Sequence, residues 1–387
     1  MNRREFISGM AGVGFVGGCG TLIGSDDYSV SVLGDTHYDT APDTVYHTAF
    51  RKLYDGTGKH PARYQEFVRN AKMWADASRR ILAASGRCVT SDTRFVLQAG
   101  DLIQGDCCDF AVHRRMLLDT LAFMKGVYPA GLPFLTVCGN HDIRHGTDTD
   151  GNAAAIPYRE TMIPFNRAEV GAMACEPIDD TTYGFRCGPD LYVMIDFNRG
   201  TKTIPIVRRL LDGNRDVRYT FVVSHGGMFP FDYWTRWFYL GDPSVDRERR
   251  EMRALLASRN AIVLCGHTHH LSLREAKFPE GLITEMTMNT VWGRTPCVND
   301  GMSSDNPAEP ECVRDGVATY GADEKWLDAQ KGRRELLAEY KPYMTRHWHA
   351  DAVGHARMRV SDEGVWFDYY GRDAIVPTKC IRLRSAL

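Results

Sequence analysis

The sequence predicts an α/β fold in which helices cover β-sheet and ligand chemistry lies at the carboxyl ends of the strands. Two observations predict this fold class. Short apolar runs end repeatedly in a polar cluster, usually introduced by glycine, and stretches of helical periodicity separate these runs. The 387 residues, 43% apolar and 25% charged, are enough for one large core or two smaller ones. This composition excludes disordered and fibrous classes.

Five apolar, β-branched runs have the length and composition of buried strands. They occupy residues 31–33, 95–97, 134–137, 221–223 and 261–264. Because open α/β sheets leave a crevice at the carboxyl ends of their strands, the polar residues that follow these runs are expected to meet there.

Helical periodicity between the runs predicts the covering layers. The helical stretches are 62–84, 110–125, 204–211 and 245–256. We predict one domain over residues 28–387, with an insertion at about 293–345 and a C-terminal hairpin at about 354–370 that returns to the sheet. The first part of the insertion is rich in proline, aspartate, serine and glycine.

Charge and hydropathy exclude two classes of function. The 47 lysines and arginines against 49 acidic residues leave a formal net charge of −2, without the basic excess that a dedicated nucleic-acid binder usually has. After residue 25 no run of about 18 apolar residues suggests a bilayer-spanning helix.

The first residues resemble a targeting signal. Arg3 and Arg4 precede a weakly apolar, glycine-rich stretch, and residues 1–18 resemble a twin-arginine signal peptide. Small residues before Cys19 resemble a lipobox, which implies cleavage and lipidation at that cysteine. The alternative is an uncleaved N-terminus with a chance arginine pair. The resemblance implies export to the bacterial cell envelope, periplasmic or anchored in the membrane through the N-terminal lipid.

The cysteines suit an oxidising compartment. Eleven cysteines less Cys19 leave ten, an even number. The sequence contains no C-x-x-C pair of the kind that forms a structural zinc site. Two pairs are spaced for local disulfide bridges, Cys175 with Cys187 and Cys297 with Cys312.

The residues at the predicted strand ends have the chemistry of metal ligands. Carboxylate, imidazole and amide groups without thiolates suit two ions such as Fe, Mn or Zn. A lone histidine at a strand end is usually structural, but several such clusters are hard to place by chance. The residues are Asp35, His37, Asp101, Asn140, His141, Asp142, His225, His267 and His269.

In the form Gly-Asp-x-His, Gly-Asp, Gly-Asn-His-Asp and Gly-His-x-His, these clusters resemble the calcineurin-like metallophosphoesterase family over residues 30 to about 290. The resemblance implies a four-layer sandwich of two mixed β-sheets flanked by helices. It also implies two metal ions. The implied ligands are Asp35, His37 and His269 for the first ion, Asn140, His225 and His267 for the second, and Asp101 for both.

Two such ions can make a bridging water into a hydroxide nucleophile at neutral pH and clamp the phosphoryl oxygens. His141 would then steady a phosphoryl oxygen or protonate the leaving group as a general acid. Asp142 would orient a ligand or His141, or cap backbone N–H groups of its loop.

One position departs from two branches of the family. Protein Ser/Thr phosphatases carry an aspartate three residues after the bridging aspartate, paired with the catalytic histidine, and purple acid phosphatases carry a tyrosine there. This chain has Gln104, whose side chain can do neither job. Asp106 is a candidate replacement for the carboxylate, or an exposed loop residue. Arg144 and His145 are candidates for contact with a substrate phosphate, or solvated loop residues.

An aromatic segment follows His225. Residues 229–239 contain seven aromatic side chains, among them Trp234 and Trp237. The segment is either a lid that stacks on the leaving group of a substrate or a plug in the core beneath a loop.

Together these features predict an exported binuclear metallophosphoesterase acting on phosphate esters. Whether the substrate is a phosphomonoester or a phosphodiester stays open, because the same pair of metals can hydrolyse both. The alternative from another class is a catalytically silent surface lipoprotein that uses the fold as a binding module.

Overall fold

The computed structural model describes residues 26–39, 45–54, 68, 70–146, 153–229, 238–291, 336, 338–350 and 352–386. The predicted signal segment with Cys19, most of the predicted insertion, and Trp234 and Trp237 lie outside these residues. Within the described ranges, no helix combines the length and the apolar character needed to cross a bilayer.

Thirteen strands and six α-helices are formed by the described residues. The helices are α1 (Thr48–Tyr54), α2 (Arg79–Arg87), α3 (Phe110–Val127), α4 (Ala155–Val170), α5 (Ile204–Gly213) and α6 (Asp246–Ala257). The first strands are β1 (Tyr28–Leu33), β2 (Thr93–Gln98), β3 (Phe134–Thr136), β4 (Tyr183–Cys187), β5 (Asp190–Ile195) and β6 (Thr220–Ser224). The others are β7 (Ile262–Cys265), β8 (Leu271–Phe278), β9 (Gly281–Thr287), β10 (Met344–Ala350), β11 (Gly354–Ser361), β12 (Gly364–Gly371) and β13 (Lys379–Ser385).

The strands form two mixed sheets. The first has the order β13-β12-β11-β1-β2-β3 and the second β10-β8-β9-β7-β6-β5-β4. In the first sheet β1 is parallel to β2, and β2 to β3, whereas β11 pairs with β1 antiparallel. In the second sheet β5, β6, β7 and β9 are parallel neighbours. The strands that end at the predicted ligands therefore run parallel within each sheet.

Three apolar clusters separate four layers. Successive side chains of a strand point to opposite faces of its sheet, so each sheet can pack against a different apolar cluster on each face. On β5, Tyr192 and Met194 belong to the cluster shared by strands of both sheets. Leu191, Val193 and Ile195 pack instead with α5 and α6. A third cluster joins β1, β2 and β3 to α2, α3 and α4.

The fold class is confirmed as two mixed sheets flanked by helices. Each of the five predicted apolar runs overlaps a strand. The sequence predicts no helix over α4, whose interior contains Pro164. It forms nonetheless, burying Tyr158, Met162 and Val170 on one side at helical spacing.

The expected bridge between Cys175 and Cys187 is wrong, since both cysteines are free thiols in the structure. Strand β4 holds them apart. The Cys175 N–H donates to the Gly184 carbonyl at 3.0 Å, beside the start of β4, whereas Cys187 ends that strand. Cys297 and Cys312 lie outside the described residues.

Candidate metal centre

Residues from both sheets meet at one end of their strands. Asp35 and His37 follow β1, Asp101 follows β2, and Asn140 follows β3. The second sheet contributes three histidines, which follow β6 and β7. These side chains lie within a few ångströms of one another although the chain positions span more than 200 residues.

The first group of ligand atoms comprises Asp35, His37 and His269. The His269 Nε2 atom lies 3.1 Å from Asp35 Oδ2 and 3.2 Å from His37 Nε2. Asp35 is fully buried, and its carboxylate also accepts the main-chain N–H of His267 at 3.0 Å. One carboxylate and two imidazoles thus surround a single point.

The second group comprises Asn140, His225 and His267, with Asp101 beside them. The His225 Nε2 atom lies 3.2 Å from Asn140 Oδ1 and 3.1 Å from His267 Nδ1. Its other nitrogen, Nδ1, lies 2.8 Å from the Ala99 carbonyl. A carbonyl oxygen only accepts, so Nδ1 is the donor and Nε2 is directed at the group.

Asp101 stands between the two groups. Its Oδ2 atom is 3.1 Å from His225 Nε2 and 3.7 Å from His37 Nε2, so one oxygen faces a histidine of each group. Its Oδ1 atom accepts the main-chain N–H of His141 at 2.7 Å. This placement is the one that a carboxylate shared by two ions needs.

Burial and charge set the protonation of these groups. Burial lowers the pKa of His37 to about 4 and that of His267 to about 3, so both present lone pairs at neutral pH. Burial also acts to lower the pKa of His225, but the carboxylates of Asp101 and Asp35 raise it to about 9. Two buried carboxylates therefore draw positive charge into the centre.

The donor set fits metal ions. The Nε2 atoms of His37 and His269 face each other at 3.2 Å, as two nitrogens that share one cation do. The described ligands are carboxylate, imidazole and amide groups without a thiolate, a donor set that suits Fe, Mn or Zn.

Four of the candidate ligand residues have a strained backbone conformation. All four occupy the left-handed region: His37 with φ 42°, Asp101 with φ 51°, His267 with φ 74° and His269 with φ 56°. For residues other than glycine this conformation costs of order 1–3 kcal/mol, and it persists where the surrounding structure demands it. The packing of the loops therefore imposes the ligand geometry.

Two glycines let these loops come close enough. A Cβ atom at Gly139 would lie 2.1 Å from both the main-chain nitrogen and Oδ1 of Asp101. A Cβ atom at Gly266 would lie 2.1 Å from Asp35 Oδ1. These contacts explain why glycine precedes ligand clusters in the sequence.

His141 is oriented by main chain and by an arginine. Its Nδ1 atom donates to the Gln104 carbonyl at 2.9 Å, and Arg144 Nη1 donates to its Nε2 at 2.8 Å. Arg144 is held in turn by an ion pair with the buried Asp106 carboxylate. Burial, and next the charge of Arg144, hold the pKa of His141 well below its usual range.

Position 104 thus orients His141 through its carbonyl group, for which the identity of the side chain is immaterial. The Gln104 side chain is buried, and its Nε2 atom hydrogen-bonds to no residue that the structure describes. Asp106 is buried rather than exposed, and it reaches His141 through Arg144.

Asp142 ties two loops of the site together. Its fully buried carboxylate accepts the main-chain N–H groups of Gly139 at 2.8 Å and Ile103 at 3.0 Å. Burial, followed by the charge of Asp101, raises the pKa of Asp142 above its usual range. Its role in the structure is therefore the capping of backbone N–H groups.

The described aromatic residues around the 230–237 gap are buried. Phe229 and Tyr239 are part of the core between the second sheet and its helices, and the Tyr239 hydroxyl donates to the Gly200 carbonyl at 3.1 Å. Trp234 and Trp237, the candidate substrate contacts, lie outside the described residues.

Sequence reasoning missed two residues beside the centre. The Phe197 ring packs 5.3 Å from the His225 ring and 5.6 Å from the His267 ring, between centroids. Asn198 Nδ2 donates to the Gly139 carbonyl at 3.2 Å. Both follow β5, an apolar run that ends in Asp196. The pattern that identified the candidate ligands, an apolar run followed by a polar residue, is therefore present here also.

Fold and site together define a metal-binding α/β protein whose oxygen and imidazole ligands gather at strand ends, as hydrolytic metal centres require. The chain belongs to the calcineurin-like phosphoesterase family, whose profile matches residues 28–271. The prediction of a metal-dependent phosphoester hydrolase is thereby confirmed at the level of the family.

Solved structures share the fold at low identity. A dimetal phosphatase from Danio rerio is 11% identical with a TM-score of 0.53, covering 93% of this chain and 99% of its own. Purple acid phosphatase PPD1 from yellow lupin (Lupinus luteus) seeds is 10% identical with a TM-score of 0.51, covering 94% of this chain. This chain spans 55% of the lupin protein. No curated protein sequence matches significantly.

Proposed function

We propose that this protein is an exported, binuclear metallophosphoesterase that hydrolyses phosphate esters. The observation that carries the binuclear centre is the position of Asp101 between two groups of ligand atoms. Asp35, His37 and His269 would hold one ion, with Asn140, His225 and His267 holding the other. Fe, Mn and Zn fit the ligands.

The chain's own residues orient the ligand side chains around that centre. When bound, two such ions supply the charge that activates water at neutral pH and neutralises phosphoryl oxygens. His225 keeps its Nε2 directed at the centre because Nδ1 donates to Ala99. His141 lies beside the first group, its ring centroid 4.5 Å from that of His37. From there it is placed to steady a phosphoryl oxygen or to serve the leaving group.

The test of this function is metal analysis joined to a substrate panel. We expect the purified mature protein to hold two ions per chain and to hydrolyse members of a panel of phosphomonoesters and phosphodiesters. The panel also assigns the ester class, which the ligands leave open. A protein that holds one ion or none after metal loading, or hydrolyses no ester, would contradict the proposal.

The proposal of export depends on the N-terminal residues. Arg3 and Arg4 together with Cys19 support a twin-arginine signal and lipidation.

Trp234 and Trp237 enter the proposal only as candidate substrate contacts, because their segment begins within a few residues of His225.

Replacing Cys19 with serine is expected to move the protein out of the membrane fraction or to leave the signal segment uncleaved. Acyl chains anchor in proportion to their buried CH₂ groups, and the variant cannot carry them. Cell fractionation and mass spectrometry of the mature N-terminus measure both outcomes. Cys380→Ser, at an exposed cysteine, is the matched control and should stay in the membrane fraction. A soluble wild-type chain beginning at another residue would reject lipidation.

A further inference from the structure

A second, cationic cleft opens beside the metal centre. It has a volume of about 210 Å³, several times the roughly 30 Å³ share of one water in the liquid. Helix α4 lines one side and the 3₁₀ segment Phe197–Thr203 the other. The cleft can therefore admit a phosphate or carboxylate group together with part of the chain that carries it.

The lining is rich in positive charge. Arg159, Arg199 and Lys202 line the cleft, against one lining carboxylate, Asp196. That carboxylate is occupied, since it accepts hydrogen bonds from the Thr181 hydroxyl at 2.7 Å and from the Asn198 main chain at 3.2 Å. Asp180, which pairs with Arg199, offsets part of this charge, so three cationic side chains face two carboxylates and leave a small positive excess.

The two arginines are held in place and the lysine is available. Asp180 pairs with Arg199 and lies 3.8 Å from Arg159 Nη2, so one carboxylate positions both guanidinium groups. Lys202 is exposed and makes no ion pair with any carboxylate that the structure describes. The cleft thus combines a preorganised pair of donors with one uncompensated cation.

The cleft is joined to the metal centre through two elements. The segment that carries Arg199 and Lys202 begins with Phe197, which packs on the rings of His225 and His267. Ile143, another lining residue, ends the 3₁₀ turn that begins at His141. Lys202 follows Phe197 by five positions in the chain, a reach of at most about 18 Å even if extended.

We propose that this cleft binds a second anionic group, a carboxylate or a phosphate, on the alcohol portion of the substrate. The inference rests on the proposed function, because it places the reacting phosphate at the metal centre. It narrows the substrate class to phosphate esters whose leaving group carries negative charge at a distance from the reacting phosphorus.

The test compares esters of equal length that differ only at the far end. Pentyl phosphate, 4-carboxybutyl phosphate and butane-1,4-diyl bisphosphate provide a neutral, a carboxylate and a phosphate terminus, each also made as a methyl diester and in shorter and longer homologues. For the wild-type enzyme we expect kcat/KM to be about tenfold higher for at least one anionic terminus than for the neutral one. The two anionic arms identify which group the cleft prefers.

Lys202→Ala should lower that preference about threefold to fivefold, the range of an exposed charge pair. Lys202→Glu should remove the preference, since it places like charges together. Both variants should hydrolyse pentyl phosphate within about twofold of wild type. Lys277→Ala, at an exposed lysine on β8, is the matched control and should retain the full preference. Arg199→Gln tests the arginine pair independently, with a thermal melt to verify folding.

Calorimetric binding of the corresponding phosphonates separates the two proposals. If no ester is hydrolysed but the anionic phosphonates bind more tightly in a manner that depends on Lys202, the proposed function fails and the cleft inference stands. If pentyl phosphate is hydrolysed without preference for an anionic terminus, the cleft inference is overturned. A preference that survives in folded Lys202→Glu and Arg199→Gln overturns it equally.

Discussion

Replacing Asp101 with alanine is expected to abolish hydrolysis, with kcat/KM falling at least about 10³-fold. Its carboxylate faces a histidine of each ligand group, at 3.1 Å from His225 Nε2 and 3.7 Å from His37 Nε2. Without it, each of the two proposed ions would lose a ligand, and the carboxylate that would offset the repulsion between them would be gone. The metal content measured by elemental analysis should fall together with the rate.

Two further variants make the result specific. Asp101→Asn keeps the shape and the acceptor for the His141 N–H but removes the charge, so it should fold like wild type and still lose metal. Asp216→Ala, at an exposed aspartate distant in sequence from the site residues, is the matched control and should leave both readouts unchanged. An Asp101→Ala protein that keeps two ions and most of its turnover would disprove the shared-ligand proposal.

His141→Ala is expected to behave differently, keeping the metals while losing about 10²–10⁴-fold in kcat, the usual contribution of a general acid or base. His141 is adjacent to Asn140 in the chain, yet its ring nitrogens bond to the Gln104 carbonyl and Arg144. His141 also lies within ligand distance of His37 and Asp101, but because both of its ring nitrogens have other partners, we expect the remaining ligands to keep the metals. Elemental analysis and steady-state kinetics on one active ester provide the two measurements.

The leaving group distinguishes the two roles open to His141. If it protonates the leaving oxygen, the loss should be large for alkyl esters and small for nitrophenyl esters, whose leaving groups need no proton. If it steadies a phosphoryl oxygen, the loss should be equal for both. His113→Asn is a control, because the His113 ring hydrogen-bonds to the main-chain carbonyl of Asp142 rather than to a ligand side chain. Loss of metal from His141→Ala would show that it is itself a ligand.

The ligand positions could be predicted because their signal is local. Asp35, Asp101 and Asn140 each follow a glycine at the end of an apolar run. The structure supplies the reason for the glycine, since a Cβ atom at Gly139 would collide with Asp101. A pattern of this kind needs no knowledge of which strands are neighbours.

The surroundings of His141 could not be predicted in the same way. The sequence indicated that the Gln104 side chain cannot replace the carboxylate of related enzymes. The structure shows that the main-chain carbonyl at that position accepts a hydrogen bond from His141 Nδ1 instead. Because every residue has a carbonyl group, such an acceptor leaves no mark in the sequence. The Arg144–Asp106 pair likewise depends on two loops being folded together.

By itself, therefore, the sequence determined the α/β class, the strand ends that carry ligands, and the family. Tertiary structure decided how closely the ligand atoms approach one another, that Cys175 and Cys187 stay apart, and that Phe197 and the cationic cleft flank the centre. The physical reason is the range of the interactions. Periodicity and glycine placement act within a few residues, whereas Asn198 meets Gly139 across 59 positions, a contact that exists only after the two sheets have packed.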